Sequence, residues 1–164
     1  MKKLSLLLVT VLTVAFTTHL YAFDGKDKVE ENRQVKGFER IRLQGSPDIK
    51  YTQGKTWSVR VKAPQDVIKR VQTRVEGNCL TVSIKEGKSS FFRSNKGNEV
   101  TVYVTSPDLI GVEVYGSGDF DSDSHVDTDN LEVVVRGSGD VKFRDIICDR
   151  LKTSLVGSGD IDIQ

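Results

Sequence analysis

The sequence predicts an all-β protein: a parallel β-helix-like solenoid with coils of about 20 residues, preceded by more irregular strands and hairpins. Three observations support this prediction. From Phe38 onward, apolar and polar residues alternate with the period of two that is typical of strands. Gly-Ser-Gly-Asp occurs three times, starting at Gly116, Gly137 and Gly157, at spacings of 21 and 20 residues. No long stretch has the 3.6-residue apolar period of an amphipathic helix.

Residues 1–22 have the layout of a secretory signal peptide. Lys2 and Lys3 precede an apolar run that begins at Leu4, and a more polar stretch ends at Ala22, where cleavage is expected. The apolar run is short for a bilayer span, and no cysteine follows it closely enough to carry a lipid. We therefore expect an exported protein, periplasmic, surface-exposed or secreted, that is not a lipoprotein and has no stable membrane span.

The first part of the exported chain is less regular. Residues 23–36 are charged and lack an apolar period, which predicts a flexible leader. Alternation in residues 38–45 and 48–61 predicts strands, with Trp57, Val59 and Val61 on one face. Only residues 63–72 have a helical pattern, of one or two turns.

Two further strand signals follow before the repeats. Gly77-Asn78 separates two alternating runs, which predicts a hairpin. Val100, Val102 and Val104 then share one face of a strand that Pro107 closes.

The repeat extends beyond the four residues that are identical in all three copies. Apolar or β-branched residues stand six, four and two positions before the first glycine of each copy, and an apolar residue follows each aspartate. These residues are Ile110, Val112, Val114 and Phe120; Leu131, Val133, Val135 and Val141; and Leu151, Thr153, Leu155 and Ile161. Residues 43–51 form a degenerate fourth copy, with Pro47 in place of a glycine. Because so short a unit cannot bury its own apolar face, we expect the copies to stack, with glycine at each corner.

Stacking would place Asp119, Asp140 and Asp160 in a ladder with about 4.8 Å between neighbours. Two interpretations stay open. The ladder holds a cation or another ligand, or each carboxylate accepts a hydrogen bond from the backbone of its own turn. The copies lack the nine-residue spacing of calcium-binding β-rolls, so we predict no metal site.

A second candidate binding surface is the adjacent pair Phe91 and Phe92. They lie in a basic, Ser- and Gly-rich loop between Lys85 and Asn98. Adjacent strand residues point in opposite directions, so at least one ring is available as a contact anchor. The alternative is that the loop folds back and buries both rings.

Charge is divided unequally along the exported chain. Residues 23–105 carry 17 Lys and Arg against 10 Asp and Glu, and residues 106–164 carry 5 against 13. Net charges of +7 and −8 favour self-association or attraction to charged surfaces over nucleic-acid binding. The alternative is that both charges only keep their surfaces soluble.

The chemistry-bearing residues predict neither a cofactor nor an enzyme. His125 is the one histidine after residue 22, without zinc-ligand spacing, and whether Cys79 and Cys148 pair stays open. The outward positions of the repeated strands are mixed, without a carboxylate stack beside a basic residue. They are Gly111, Glu113 and Tyr115; Glu132, Val134 and Arg136; and Lys152, Ser154 and Val156. A polysaccharide-active enzyme is the remote alternative.

Three blocks in order, "GFERIRLQGSPDIKYTQG", "VEGNCLTVSI" and "VTVYVTSPDLIGVEVYGSGD", resemble the putative auto-transporter adhesin head GIN domain family, which is bacterial and common in Bacteroidetes. The resemblance covers residues 37–164 and implies one β-helix-like domain outside the cytoplasm, without catalytic residues. Members of the family have several more coils, so the end at Gln164 indicates either truncation of the C-terminal coils or an open coil that another molecule covers.

We therefore expect an exported, non-enzymatic adhesin or ligand-binding module of the cell envelope, recognising a glycan or a protein. The alternative is a structural protein that self-assembles through its open C-terminal coil into a homo-oligomer.

Overall fold

The computed structural model describes residues 28–85 and 99–164. These residues form strands joined by turns, with a single 3-10 turn at Ile68–Arg70, so the all-β prediction is confirmed. Within these two ranges, no helix is long and apolar enough to cross a membrane. The strands are β1 Lys28–Arg33, β2 Arg40–Gly45, β3 Asp48–Gln53, β4 Ser58–Pro64, β5 Val71–Glu76, β6 Cys79–Ile84, β7 Thr101–Ser106, β8 Gly111–Gly116, β9 Phe120–Ser122, β10 Val126–Gly137, β11 Val141–Phe143, β12 Ile146–Gly157 and β13 Ile161–Ile163.

The strands form two sheets that share one apolar core. The seven-stranded sheet has the order β1-β4-β7-β3-β9-β11-β13, and the six-stranded sheet has the order β12-β10-β8-β2-β6-β5. Alternate residues of each sheet are buried, as the period of two predicts. In β10, for example, Leu131, Val133 and Val135 are at most 2% exposed, whereas Glu132 and Val134 are half-buried.

Equivalent positions of the repeat lie side by side. Gly116 pairs with Gly45 on one side and Gly137 on the other, and Gly137 pairs with Gly157. The pairing is parallel throughout this group, and it includes the degenerate copy, because β2 pairs with β8 and β3 with β9.

The glycine corners are closed by backbone contacts between neighbouring copies. Gly137 has a φ of 141°, and the carbonyl oxygen of Gly116 accepts hydrogen bonds from the backbone N–H groups of Ser138 at 2.8 Å and Gly139 at 3.1 Å. A Cβ atom on Gly137 would overlap that same oxygen. Glycine is therefore required here for both its conformation and its size.

The corner on the other side of the repeat differs in length between copies. Ser122 pairs with Phe143, 21 positions later, whereas Val126 pairs with Ile146, 20 positions later. The extra residue of the earlier copy therefore lies in residues 123–125, which correspond to the two residues 144–145 of the next. Residues 123–125 join β9 to β10, and residues 144–145 join β11 to β12. Because β9 pairs with β11 and β10 with β12, the extra residue does not change the strand pairing of either sheet.

The observed sheets differ from the predicted parallel β-helix. In that fold all strands run parallel and coils stack in chain order, but the pairs β1–β4, β4–β7 and β5–β6 are antiparallel. Chain order also departs from spatial order, because β2 lies between β6 and β8. The cause is the segment from β4 to β7, which the chain inserts between β3 and β8. We therefore describe the fold as two mixed sheets.

The prediction of a flexible leader over residues 23–36 is wrong for Lys28–Arg33. These residues form β1, which pairs antiparallel with β4 from Lys28 opposite Pro64 to Arg33 opposite Val59. Its charged side chains are partly satisfied, since Arg60 forms an ion pair with Glu30 at 2.8 Å. The predicted hairpin at Gly77 is confirmed, with β5 and β6 antiparallel, whereas the helical pattern of residues 63–72 forms only the 3-10 turn.

Candidate binding surfaces

The repeated aspartates form a ladder of hydrogen bonds between copies. The backbone N–H of Asp140 donates to Asp119 Oδ1 at 2.9 Å, and the N–H of Asp160 donates to Asp140 Oδ1 at 2.8 Å. The degenerate copy takes part, because the N–H of Asp119 donates to Asp48 Oδ1 at 3.1 Å. The carboxylates of Asp48, Asp119 and Asp140 therefore each bond the turn of the next copy, and not their own turn as one interpretation of the sequence had it.

This ladder gives the aspartates a structural task. Each shared oxygen is an acceptor for a corner N–H that would otherwise depend on water. Burial raises the pKa of Asp48, although the hydrogen bond from the Asp119 backbone acts in the opposite direction. Within residues 28–85 and 99–164, no group of three or more His, Cys, Asp or Glu side chains is placed to hold a metal ion.

The outer face of the six-stranded sheet carries paired charges. Arg42 donates two hydrogen bonds to the Glu113 carboxylate, at 2.8 and 3.2 Å, and the Tyr115 hydroxyl donates a third at 3.1 Å. Glu132 lies between Arg40 at 2.6 Å and Lys152 at 2.7 Å. Arg42 and Lys152 thus bind carboxylates of neighbouring strands, as in a cross-strand ladder, whereas Arg40 of β2 reaches across β8 to Glu132 of β10.

These contacts lower the pKa of both carboxyl groups. For Glu113 the largest cause is the hydrogen bond from Arg42, followed by the opposing effect of burial. For Glu132 it is the hydrogen bond from Lys152, followed by that from Arg40. A general acid needs a raised pKa at neutral pH, so neither group has the property that glycoside hydrolysis requires of its proton donor.

We expect Glu113→Gln to flatten the loss of stability in acid. The folded-state pKa of Glu113 lies below that of the unfolded chain, so its ionised form stabilises the fold above the unfolded-state pKa. That stabilisation is lost as pH falls through the folded-state pKa. Urea unfolding between about pH 6 and about pH 3 should therefore show a steeper loss for the wild type than for Glu113→Gln. The exposed Glu76 gives the matched control, Glu76→Gln, and a variant at Glu113 with the wild-type slope would contradict the argument.

A polar groove of about 520 Å³ lies beside Trp57. The indole is 41% exposed, and its Nε1–H donates to the carbonyl oxygen of Phe38 at 2.9 Å. The groove is lined by Asn32, Arg33, Gln34, Val35, Lys36, Trp57, Ser58 and Val59. An aromatic ring, two amides and an amine thus surround one open depression. We call these residues the Trp57 groove.

The sequence placed Trp57 on one face with Val59 and Val61. Both valines are buried, but Trp57 is not, because β4 begins at Ser58 and the indole turns to meet Phe38. The available signal was a lone tryptophan next to a Gly-Lys turn. The sequence analysis did not predict the groove, because its second wall is formed by the end of β1 and the residues that follow it, and β1 was not predicted.

Of the remaining residues singled out in the sequence, the structure describes the two cysteines but not the two phenylalanines. Phe91 and Phe92 lie outside the described residues, in the segment that connects β6 to β7. Cys79 and Cys148 are free. They lie in β6 and β12, which are four strand spacings apart in the six-stranded sheet, or about 19 Å. That separation is too large for a disulfide bond.

Residues 37–164 match the model of a family described as "Putative auto-transporter adhesin, head GIN domain". The chain matches no curated protein. Among solved structures, a putative adhesin from Bacteroides fragilis NCTC 9343 is 28% identical, with a TM-score of 0.73 over 83% of this chain and 62% of that one. The chain thus spans about three-fifths of the length of that protein.

Two more distant structures share the fold. A putative adhesin from Parabacteroides distasonis ATCC 8503 is 22% identical, with a TM-score of 0.68 over 82% of this chain and 55% of that one. A putative lipid binding protein from the same organism is also 22% identical, with a TM-score of 0.68 over 84% of this chain and 66% of that one. At this identity the likeness concerns the fold alone.

Proposed function

Because the chain belongs to the family of the putative auto-transporter adhesin head GIN domain, we propose that it is an exported, non-enzymatic binding module of the cell envelope that recognises a glycan. Residues 1–22 are its secretory signal in this proposal, and residues 37–164 form one domain. The 28%-identical adhesin-like structure supports the class of function.

A β-helix-like stack in the C-terminal part belongs to this proposal. It is supported by the parallel register of β8, β10 and β12 and of β9, β11 and β13. A stack of this kind holds its outer side chains at fixed spacing, which suits a surface that meets an extended ligand.

The exposed Trp57 carries the proposal of a glycan ligand. The C–H face of a sugar ring packs on an aromatic ring, while its hydroxyl groups need partners that both donate and accept. The amides of Asn32 and Gln34, which line the groove, supply both. Since the indole is already held by the Phe38 carbonyl, it loses little conformational freedom when a ligand binds.

Trp57→Ala should weaken glycan binding by about 30-fold, the effect of losing a central aromatic contact of about 2 kcal/mol. The binding partner is first identified by testing the purified protein against a panel of glycans, matrix proteins and lipid vesicles. Trp57 is the single tryptophan of the chain, so a sugar seated on it should also shift the intrinsic fluorescence. Titration calorimetry then measures the affinities of wild type and variant.

Control variants separate this site from the other candidates. Phe91→Ala with Phe92→Ala tests the loop, and Asp140→Asn tests the ladder, because the amide keeps an acceptor oxygen for the Asp160 N–H but loses the charge that a cation needs. Both should bind as the wild type does, with calcium or with a chelator. Binding that survives Trp57→Ala, or that a chelator abolishes, would contradict the Trp57 groove as the site.

One observation favours the alternative function, structural self-assembly. Among residues 28–85 and 99–164, five large apolar residues are exposed, and the edge strand β12 carries four of them, namely Ile147, Leu151, Leu155 and Val156. Such an edge is a template for pairing with another chain, which supports a homo-oligomer formed through this end of the molecule.

A further inference from the structure

The Trp57 groove continues into a second groove, of about 380 Å³, along strand β5. The residues that line this second groove are Arg33, Gln34, Val35, Val71, Gln72, Thr73 and Arg74. The first three of them line the Trp57 groove as well, so the two depressions meet where β1 ends. We call the second depression the Arg74 groove.

The charged side chains that line the two grooves are all basic. They are Arg33, Lys36 and Arg74. Glu76, the carboxylate nearest to Arg74 along β5, lies on the hairpin side of it and lines neither groove. A cleft whose side chains carry one sign of charge concentrates the electrostatic potential and attracts ligands of the opposite sign.

Lys36 and Arg74 are the cations that a ligand can reach without breaking an existing contact. Both side chains are exposed, and neither forms an ion pair in the part of the chain that the structure describes. The neighbouring strand β4 shows the contrast, because its Arg60 and Lys62 both contact the carboxylate of Glu30, at 2.8 and 3.6 Å. An anion that binds Lys36 or Arg74 therefore competes with no carboxylate of the protein.

Arg33 lies where the two grooves meet, and its side chain is held in place. Its Nη1 donates to Glu31 Oε1 at 2.8 Å, and its Nη2 donates to the carbonyl oxygen of Ile68 at 2.9 Å. Its Nε is buried and has no hydrogen-bond partner among residues 28–85 and 99–164. A buried donor without an acceptor costs free energy, and an anionic group in the groove is the partner that this guanidinium lacks.

We propose that the ligand of the Trp57 groove is an anionic glycan that extends into the Arg74 groove. This inference rests on the proposed function and adds the charge of the ligand and a second subsite. One sugar packs on Trp57 with its carboxylate or sulfate group at Lys36, and a following sugar places a second such group at Arg74. Between these two cations, the side-chain amides of Gln34 and Gln72 bind hydroxyl groups.

Two matched pairs of probes test the charge of the ligand. Oligosaccharides of polygalacturonate are compared with their methyl-esterified form, which keeps the sugars and removes the carboxylate charge, and dextran sulfate is compared with dextran. Titration calorimetry should show about tenfold tighter binding of the charged member of at least one pair, which identifies the group as carboxylate or sulfate. That affinity should fall between about 0.05 M and about 0.5 M NaCl, because salt screens exposed charges.

Lys36→Gln and Arg74→Gln should each weaken binding of the charged probe about fivefold and leave the affinity for its neutral counterpart unchanged. Arg136→Gln is the matched control, because Arg136 is also exposed and forms no ion pair within the described ranges. It lies in β10, four strand spacings from β5, and lines neither groove, so its variant should bind as the wild type does. Equal losses in all three variants would show attraction to the overall charge of the protein and would overturn the proposal.

The variants also separate this inference from the proposed function. Equal affinity for both members of each pair, lost in Trp57→Ala, would overturn the anionic ligand while glycan recognition at the Trp57 groove stands. Binding of a charged probe that is lost in Trp57→Ala but unchanged in Arg74→Gln would overturn the second subsite. A charged probe that binds Trp57→Ala as tightly as the wild type would contradict the glycan site itself.

Discussion

Gly137→Ala is expected to destabilise the fold by about 4 kcal/mol, the sum of a left-handed backbone at a non-glycine residue and an overpacked contact. The φ of Gly137 is 141°, a conformation that side chains rarely adopt, and a Cβ there would overlap the carbonyl oxygen of Gly116. That oxygen accepts the N–H groups of both Ser138 and Gly139, so moving it would weaken the corner further. Urea unfolding followed by far-UV circular dichroism measures the loss.

Gly77→Ala is the matched control for this corner. Gly77 also has a positive φ, of 61°, but a Cβ there would meet nothing within 4 Å. Its substitution should cost only the backbone term, about 1 kcal/mol. If the two alanine variants lose equal stability, the close approach between copies contributes nothing, and the packing account of the Gly-Ser-Gly-Asp corner fails.

Phe120→Ala should lower the stability by a similar amount, about 4 kcal/mol, for a different reason. Phe120 is fully buried, and its ring lies between those of Tyr51, with centroids 5.9 Å apart, and Phe143, at 5.3 Å. Removing it leaves a cavity in the middle of an aromatic row and loses two ring contacts. Because β9 has only three residues, it forms few backbone hydrogen bonds, and its position in the sheet depends largely on the packing of the Phe120 ring.

Phe120→Leu provides the comparison, since leucine refills most of the cavity and should cost about 1 kcal/mol. Chemical denaturation of both variants in parallel gives the difference. An alanine variant as stable as the leucine variant would mean that neighbouring side chains collapse into the space, and that the contacts within the aromatic row contribute little to stability.

Local patterns predicted the C-terminal half of the fold well. The apolar stripes of β8, β10 and β12 follow from alternation alone, and the positive φ of Gly116, Gly137 and Gly157 follows from their recurrence at the ends of those strands. Both signals are contained in a few neighbouring residues, so no knowledge of distant partners was needed.

The parts that were missed depend on distant partners. Strand β1 is highly charged and becomes a strand only because β4 pairs with it. The place of β6 beside β2 comes from an insertion, and alternation carries no information about which strands become neighbours. The stacking of the aspartates was predicted. That a carboxylate accepts a hydrogen bond from the backbone N–H of the next copy could not be, because this depends on the register between the strands. The Trp57 groove needed β1 and β4 together.

The unequal corners at residues 123–125 and 144–145 have a consequence for how such a gene can change. A one-codon insertion or deletion there alters a bend and leaves every strand opposite its former partner. The glycine corner allows no such change, because the carbonyl oxygens of Gly45, Gly116 and Gly137 each accept hydrogen bonds from two backbone N–H groups of the next copy. Within the repeats, length variation is therefore expected at this corner and not at the glycine corner, so this is also where an epitope tag or a fluorescent label can be inserted while the strands keep their partners.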